Sequence, residues 1–265
     1  HVDEVLSSIS NGQSFDLDES RRVIQSCVSS ILRNANALLW LTQVKEQDKY
    51  TAEHSLRVGI LAIAFGRFVG LKGHELEIIG LCGMLHDIGK TKIPADILNK
   101  TERLTRIEFD IMKQHAVFGK EILDEQSGMN KLIKETAHFH HERMDGSGYP
   151  KALVGKTSLP SQILSATECA ISVFQKHGYN YTLSVLKTHM AEQFNDKVSK
   201  CLIKILNSWH EASSEFDFPR NYDDVELLYE KLNTSVTSGA KTLSTLTNPF
   251  ASSSAVIHLK QRISA

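Results

Sequence analysis

The chain has 265 residues, enough for one substantial core with decorated ends, because single domains usually run to roughly 100–200 residues. Hydrophobic residues at 41% and charged residues at 23% are ordinary globular usage and exclude wholesale disorder or a fibrous protein. A formal net charge of −1 excludes the basic surplus with which a DNA or RNA polymer binder displaces counterions, whereas a small anionic ligand needs only a few local cations or metals.

Apolar residues at helical spacing, Val23, Ile24, Cys27, Val28, Ile31 and Leu32, then Leu38, Leu39, Leu41 and Val44, predict two accessory helices within residues 1–46. A main domain is expected over 47–215. Its first helix starts near Thr51 and buries Val58, Leu61, Ile63, Ala64 and Phe68. This apolar stretch is broken by Arg67 and is too short to span a bilayer, which takes about 20 apolar residues. The next helix covers 76–88, with Gly89 placed as its C-cap and Pro94 stopping any continuation. Thr105 followed by Glu108 reads as a capping box that starts a helix just before the apolar residues Ile107, Phe109, Ile111, Met112 and Phe118, and that helix carries His115. A helix over 131–141 precedes a loop at Asp145-Gly146-Ser147-Gly148-Tyr149-Pro150, and helices resume near Ser161, Leu183 and Val198. With no run of alternating apolar residues to demand a sheet, the fold class is all-α. Residues 216–265 form a divergent extension, rich in Ser and Thr from 234 to 254, with Val256-Ile257-His258-Leu259 as a short element that packs back.

The four cysteines, Cys27, Cys82, Cys169 and Cys201, lie far apart without a CxxC pair, which fits a reducing cytoplasm better than a secreted disulfide scaffold. No signal peptide is recognisable. The opening His1-Val2 reads as a junction, which leaves room for a preceding segment.

Chemistry concentrates in a series of histidines with one aspartate: His54, His86-Asp87, His115 and His140-His141. Any one histidine at a helix end is more often a surface or core residue than a ligand. The set gains weight because His86-Asp87 ends one apolar helix and His140-His141 ends another just before a glycine-rich loop, where side chains are released into a common cavity. Imidazole with carboxylate suits zinc, manganese, iron or nickel without any thiolate. The two oxygens of Asp87 can bridge two cations, and paired metals about 3.5–4 Å apart activate water for phosphoester hydrolysis.

Two blocks then carry a resemblance: His86-Asp87-Ile88-Gly89-Lys90 with Ile93-Pro94, and His140-His141-Glu142-Arg143-Met144-Asp145-Gly146-Ser147-Gly148-Tyr149-Pro150. In order and spacing the chain resembles the HD-GYP family over residues 48–179. The resemblance implies an HD-domain helical bundle holding two divalent metal ions, iron or manganese before zinc or nickel. The metal ligands it implies are His54, His86, Asp87, His115, His140, His141 and, where the family usually has aspartate, Glu168. Asp87 and Lys90 take the catalytic roles. Lys90, Arg143, Gly148 and Tyr149 take substrate contacts, with Arg143 open between a phosphate and local pairing to Glu142 or Asp145. Gly146 and Gly148 suit positive φ and close approach to a ligand. Tyr50 occupies the position of the glutamate that holds a third metal in some members, so two metals are expected. The implied function is hydrolysis of cyclic di-GMP or a related cyclic dinucleotide to a linear dinucleotide and on to mononucleotide. A signalling-domain partner at the loop and a homodimer are further expectations. Departures after Glu168, where Ile171 replaces an aspartate and His177-Gly178-Tyr179 replaces Arg-Pro-Tyr, support an alternative: a degenerate domain that binds metal or cyclic dinucleotide and signals through contacts. A third reading, an HD-type phosphohydrolase acting on a nucleotide or alarmone, leaves His115 and His140-His141 without a role.

Overall fold

The computed structural model describes residues 17–33, 50–188 and 190–214. Its helices are α1 (Leu17–Arg33), α2 (Tyr50–Phe68), α3 (His74–Leu85), a 3-10 turn (Ile88–Lys92), α4 (Ala95–Leu98), α5 (Arg106–Met112), α6 (His115–Asp124), α7 (Lys131–Phe139), α8 (Leu159–His177), α9 (Tyr179–Thr188), α10 (Met190–Gln193) and α11 (Asp196–Ser214). Among the described residues the one extended pairing is an isolated bridge between Asp145 and Val154, so the all-α class stands. The helix expected over 38–44, the side chain of Tyr50 and the whole 216–265 extension lie outside the described residues.

α2 and α3 form the centre because they are apolar nearly all round. Val58 and the run from Ile60 to Phe65 are buried, as are Leu76 and every residue from Ile78 to Leu85. α1 joins the same core through Ile24, Val28 and Ile31, and Arg67 of α2 donates to the Ile31 carbonyl, one of the acceptors a helix end leaves open. α7, α8 and α11 close the other sides with Leu132, Ile133, Ile163, Leu164, Val198 and Leu202.

Two expectations are corrected. α3 stops at Leu85, not at Ile88, and Gly89 is not its C-cap. The chain instead turns at Asp87, which sits in the sparsely allowed bridge region at φ −96° and ψ 7°, and enters the 3-10 turn. Gly89 is required there for space: a Cβ would lie 1.9 Å from the His115 carbonyl oxygen and 2.4 Å from the Gly119 nitrogen. α6 therefore rests directly on the backbone that follows the His-Asp pair.

The capped helix also differs from the expectation. The capping box forms, with Thr105 Oγ1 accepting from the Glu108 N–H at 3.3 Å and Glu108 Oε2 accepting from the Thr105 N–H at 2.7 Å. The helix ends at Met112, however, and His115 opens a separate helix after a turn at Lys113-Gln114. Nor does α5 face the core: it contributes no buried residue, and Ile107, Phe109 and Ile111 are 74%, 47% and 36% exposed. Its polar anchors at Thr105 and Glu108, reinforced by Lys100, hold it instead.

Candidate metal centre

Helix ends deliver most of the site. His86 and Asp87 follow the last residue of α3, His115 is the first residue of α6, and His140 and His141 follow the last residue of α7. His54 comes from the early part of α2 and Glu168 from the middle of α8. All seven side chains expected as ligands converge. They fall into three groups whose donor atoms lie within 4.8 Å of one another: Asp87 with His115, His140 and His141; Asp87 with His54 and His86; and Glu168 with His86 and His140.

The carboxylate of Asp87, 1% exposed, divides these groups. Its Oδ1 lies 3.4 Å from His115 Nε2 and 3.8 Å from His140 Nε2, while Oδ2 lies 3.1 Å from His86 Nε2 and 3.9 Å from His54 Nε2. Each oxygen thus addresses its own set of imidazoles. Lys90 Nζ reaches Oδ2 at 2.6 Å.

The tautomers are fixed by one repeated local device. Nδ1 of His86, His115 and His140 approaches the carbonyl three residues earlier, Gly83, Met112 and Ala137, at 2.6, 2.7 and 2.8 Å. A carbonyl only accepts, so each Nδ1 carries the proton and each Nε2 turns its lone pair to the centre. His115 Nε2 and His140 Nε2 consequently face each other at 3.2 Å as two acceptors, an arrangement that a cation relieves.

At Asp87 and at His54, His115, His140 and His141 the electrostatics favour the ligating state, whereas His86 and Glu168 shift the other way. Burial opposes charge on Asp87, but His86 and Lys90 outweigh it and hold the carboxyl well below its ordinary range. Burial pushes His54 down to about 4 and lowers His115; at His140 and His141 neighbouring imidazoles add to burial and drive the shift further. Those rings stay neutral, the form that binds metal. Burial raises the Glu168 carboxyl, and it would lower His86 too, except that Asp87 outweighs it and raises that imidazole.

Of the six buried side-chain polar atoms that lack a hydrogen-bond partner among the described residues, three, His86 Nε2, Asp87 Oδ1 and Glu168 Oε2, belong to this cluster. Buried polar atoms are otherwise nearly always paired, and these three point into one cluster of nitrogen and oxygen donors, which is the fit a divalent cation requires.

The family described as HD domain matches residues 25–185. The chain belongs to the HD domain family. Residues 86–90 and 140–150 place it with the HD-GYP members, since the His-Asp pair and the Gly148-Tyr149-Pro150 tripeptide are both in place. It is 39% identical over 142 residues to a cyclic di-GMP phosphodiesterase of Pseudomonas aeruginosa, covering 54% of this chain and 34% of that protein. It is 31% identical over 150 residues to a 3'3'-cGAMP-specific phosphodiesterase of Vibrio cholerae, covering 56% and 35%. A cyclic di-GMP phosphodiesterase of Thermotoga maritima is 44% identical over 108 residues, covering 40% and 29%. The chain spans about a third of the length of these curated relatives. A solved structure of an HDG"Y"P protein from Bdellovibrio bacteriovorus shares the fold, with a TM-score of 0.64 at 18% identity over 78% of this chain and 68% of that one.

In this HD domain the loop after His141 folds back over the histidines. Tyr149 stacks on His141 with ring centres 4.5 Å apart at 27°. Gly146 has the expected positive φ of 80°, but Gly148 does not: it is glycine because a Cβ would come within 2.4 Å of the Arg143 nitrogen and the His141 carbonyl oxygen. Glu142, read from sequence only as a partner for Arg143, has a larger part. Its buried carboxylate accepts from the Lys151 N–H at 2.7 Å and the Leu153 N–H at 2.8 Å, pinning the loop's return. Its place directly after the His-His pair and before a glycine-rich loop was the one available signal. The Nη1 of Arg143 bonds to the His140 and Glu142 carbonyls at 3.3 and 3.1 Å and to Ser165 Oγ, and its guanidinium lies 4.8 Å from the Phe194 ring centre. Local bonding therefore runs through carbonyls, not through the carboxylates of Glu142 or Asp145.

Glu168 faces the cluster, with Oε2 3.6 Å from His141 Nδ1. Ile171, in the place of an aspartate, is buried at 4% exposure and fills the core, while His177 is exposed and tilts against Tyr181 at 4.6 Å.

Proposed function

We propose that this domain holds two divalent metal ions and hydrolyses a phosphodiester bond of cyclic di-GMP or a related cyclic dinucleotide, giving a linear dinucleotide and then mononucleotide. The observation that carries the reading is the division of Asp87: one oxygen faces His115 and His140, the other faces His54 and His86. A single metal would leave one of those sets without a purpose. On this reading the ligands are His54, His86, Asp87, His115, His140, His141 and Glu168, and the donor set suits iron or manganese, with zinc and nickel also served. When bound, such a pair supplies water activation and stabilises the attacking and leaving oxygens of the displacement.

The chain's own residues do the rest. Carbonyl bonds hold three imidazoles in the ligating tautomer, so no reorganisation is needed when substrate arrives. Lys90, one turn beyond Asp87, contributes a positive charge for a phosphate oxygen as charge develops. Gly148 brings backbone close to the site and Tyr149 presents a ring beside it. Relatives named as phosphodiesterases of cyclic di-GMP and of 3'3'-cGAMP support the substrate class.

The loop from Gly146 to Pro150 is proposed as the contact for a signalling-domain partner, a second copy of the chain as a dimer partner, and the cytoplasm as its compartment. No helix among the described residues is long and apolar enough to cross a membrane. The second reading, a domain that binds without turnover, draws on Ile171 in the core and His177 out at the surface, where an arginine that grips phosphate is expected. Incubation of anaerobically purified, metal-loaded protein with cyclic di-GMP separates the two. Linear dinucleotide appearing at catalytic rates supports the enzyme, and bound but intact cyclic di-GMP supports the binder.

A further inference from the structure

α5 is an odd element. It contributes no fully buried residue, yet it displays Ile107, Phe109 and Ile111 to solvent and is held in place by a capping box and by Lys100, whose Nζ meets both oxygens of Glu108 at 2.6 and 2.8 Å. Such an arrangement fixes an apolar surface without using it to stabilise the core. Of the three side chains Phe109 connects to the site. Its ring stands edge-on to Tyr149, with centres 6.4 Å apart at 83°, and Tyr149 in turn stacks on the ligand histidine His141 at 4.5 Å. Lys113 Nζ lies 5.2 Å from the Phe109 ring centre and is paired with Asp110 Oδ1 at 2.5 Å. A line of rings therefore runs from the metal centre to solvent, ending in a phenylalanine that remains 47% exposed.

We propose that Phe109 is a substrate-binding residue, whose ring takes a nucleobase of the cyclic dinucleotide against it while a phosphate lies at the metal centre. The inference rests on the cyclic-dinucleotide reading above. A nucleotide whose phosphate lies at the metal centre carries its base one sugar away, and Tyr149 and Phe109 are the rings that follow His141 at centre separations of 4.5 and 6.4 Å. Bases stack on aromatic side chains whatever their identity, and an exposed ring on a rigidly capped helix loses little freedom in receiving one.

The test is binding of a hydrolysis-resistant phosphorothioate analogue of cyclic di-GMP to metal-loaded protein, compared across wild type, Phe109→Ala, Phe109→Tyr and Ile107→Ala. We expect Kd to rise about ten-fold in Phe109→Ala, to return to within about two-fold in Phe109→Tyr, and to stay unchanged in Ile107→Ala. Inorganic phosphate, which has no base, should bind wild type and Phe109→Ala equally, showing that the metal centre is undisturbed. Equal analogue affinity in wild type and Phe109→Ala overturns the proposal, as does an equal loss in Ile107→Ala, which would mark a general apolar surface. Failure of the underlying reading looks different: wild type that binds the analogue through Phe109 but leaves cyclic di-GMP intact supports the stack and removes only the hydrolase. Wild type that does not bind the analogue removes both.

Discussion

Gly89→Ala is the substitution that most sharply tests how the fold builds the centre. The new Cβ would sit 1.9 Å from the His115 carbonyl oxygen, so ordinary contact requires α6 to retreat by about 1.5 Å. Overpacking of this kind costs about 1–3 kcal/mol, which in a domain of this size lowers Tm by roughly 2–10 °C. The effect on metal is larger in kind. His115 heads α6 and moves with it, and ligand distances hold only within about 0.2 Å. The account therefore predicts loss of the metal on the His115 and His140 side of Asp87, retention of the one beside His54 and His86, and loss of turnover. Metal content by mass spectrometry, read with thermal unfolding of the same sample, checks it. Two metals per chain at the wild-type Tm would refute the reasoning.

Asp87→Ala removes both bridging oxygens at once, so it should lose both metals and all turnover; retention of two metals per chain would mean that Asp87 is not the bridge. Glu168→Ala should weaken one metal selectively and Glu168→Asp should preserve both, and titrations of the two variants against wild type decide whether this carboxylate ligates. The Glu108 carboxyl is held down to about 2, first by its bond to Lys100 and then by the Thr105 cap. Because its folded value lies below the unfolded one, its contribution to anchoring α5 is complete above about pH 4.5 and is lost as pH falls through about 2. A carboxyl titration followed by NMR should show that depressed midpoint, and an ordinary carboxylate midpoint would show that the anchor does not hold in solution.

The sequence singled out the side chains that converge more clearly than the backbone that presents them. His86-Asp87 and His140-His141 were legible because adjacent metal-binding residues next to apolar helices are uncommon for any purely structural reason. His115 was legible as a residue, though not as the start of a helix: Lys113-Gln114 contains neither glycine nor proline, so nothing marks the turn that aims the imidazole inward. Gly89 and Gly148 show the same limit. A glycine after an apolar run reads as a cap and one in a loop as a positive φ, yet both stand where a neighbouring backbone leaves no room for a Cβ. Ile107, Phe109 and Ile111 look like a buried face because helical spacing of apolar residues records a surface that avoids water, not the partner that covers it. Glu142 was hidden for another reason: its partners are backbone N–H groups, which any sequence supplies.

A pair of metals bridged by Asp87 should be visible by anomalous diffraction from crystals grown anaerobically with manganese. Two anomalous peaks about 3.5–4 Å apart are expected, both in contact with Asp87, one beside His54 and His86 and the other beside His115, His140 and His141. A single peak, or two peaks of which either lies off the Asp87 carboxylate, would contradict the bridged pair.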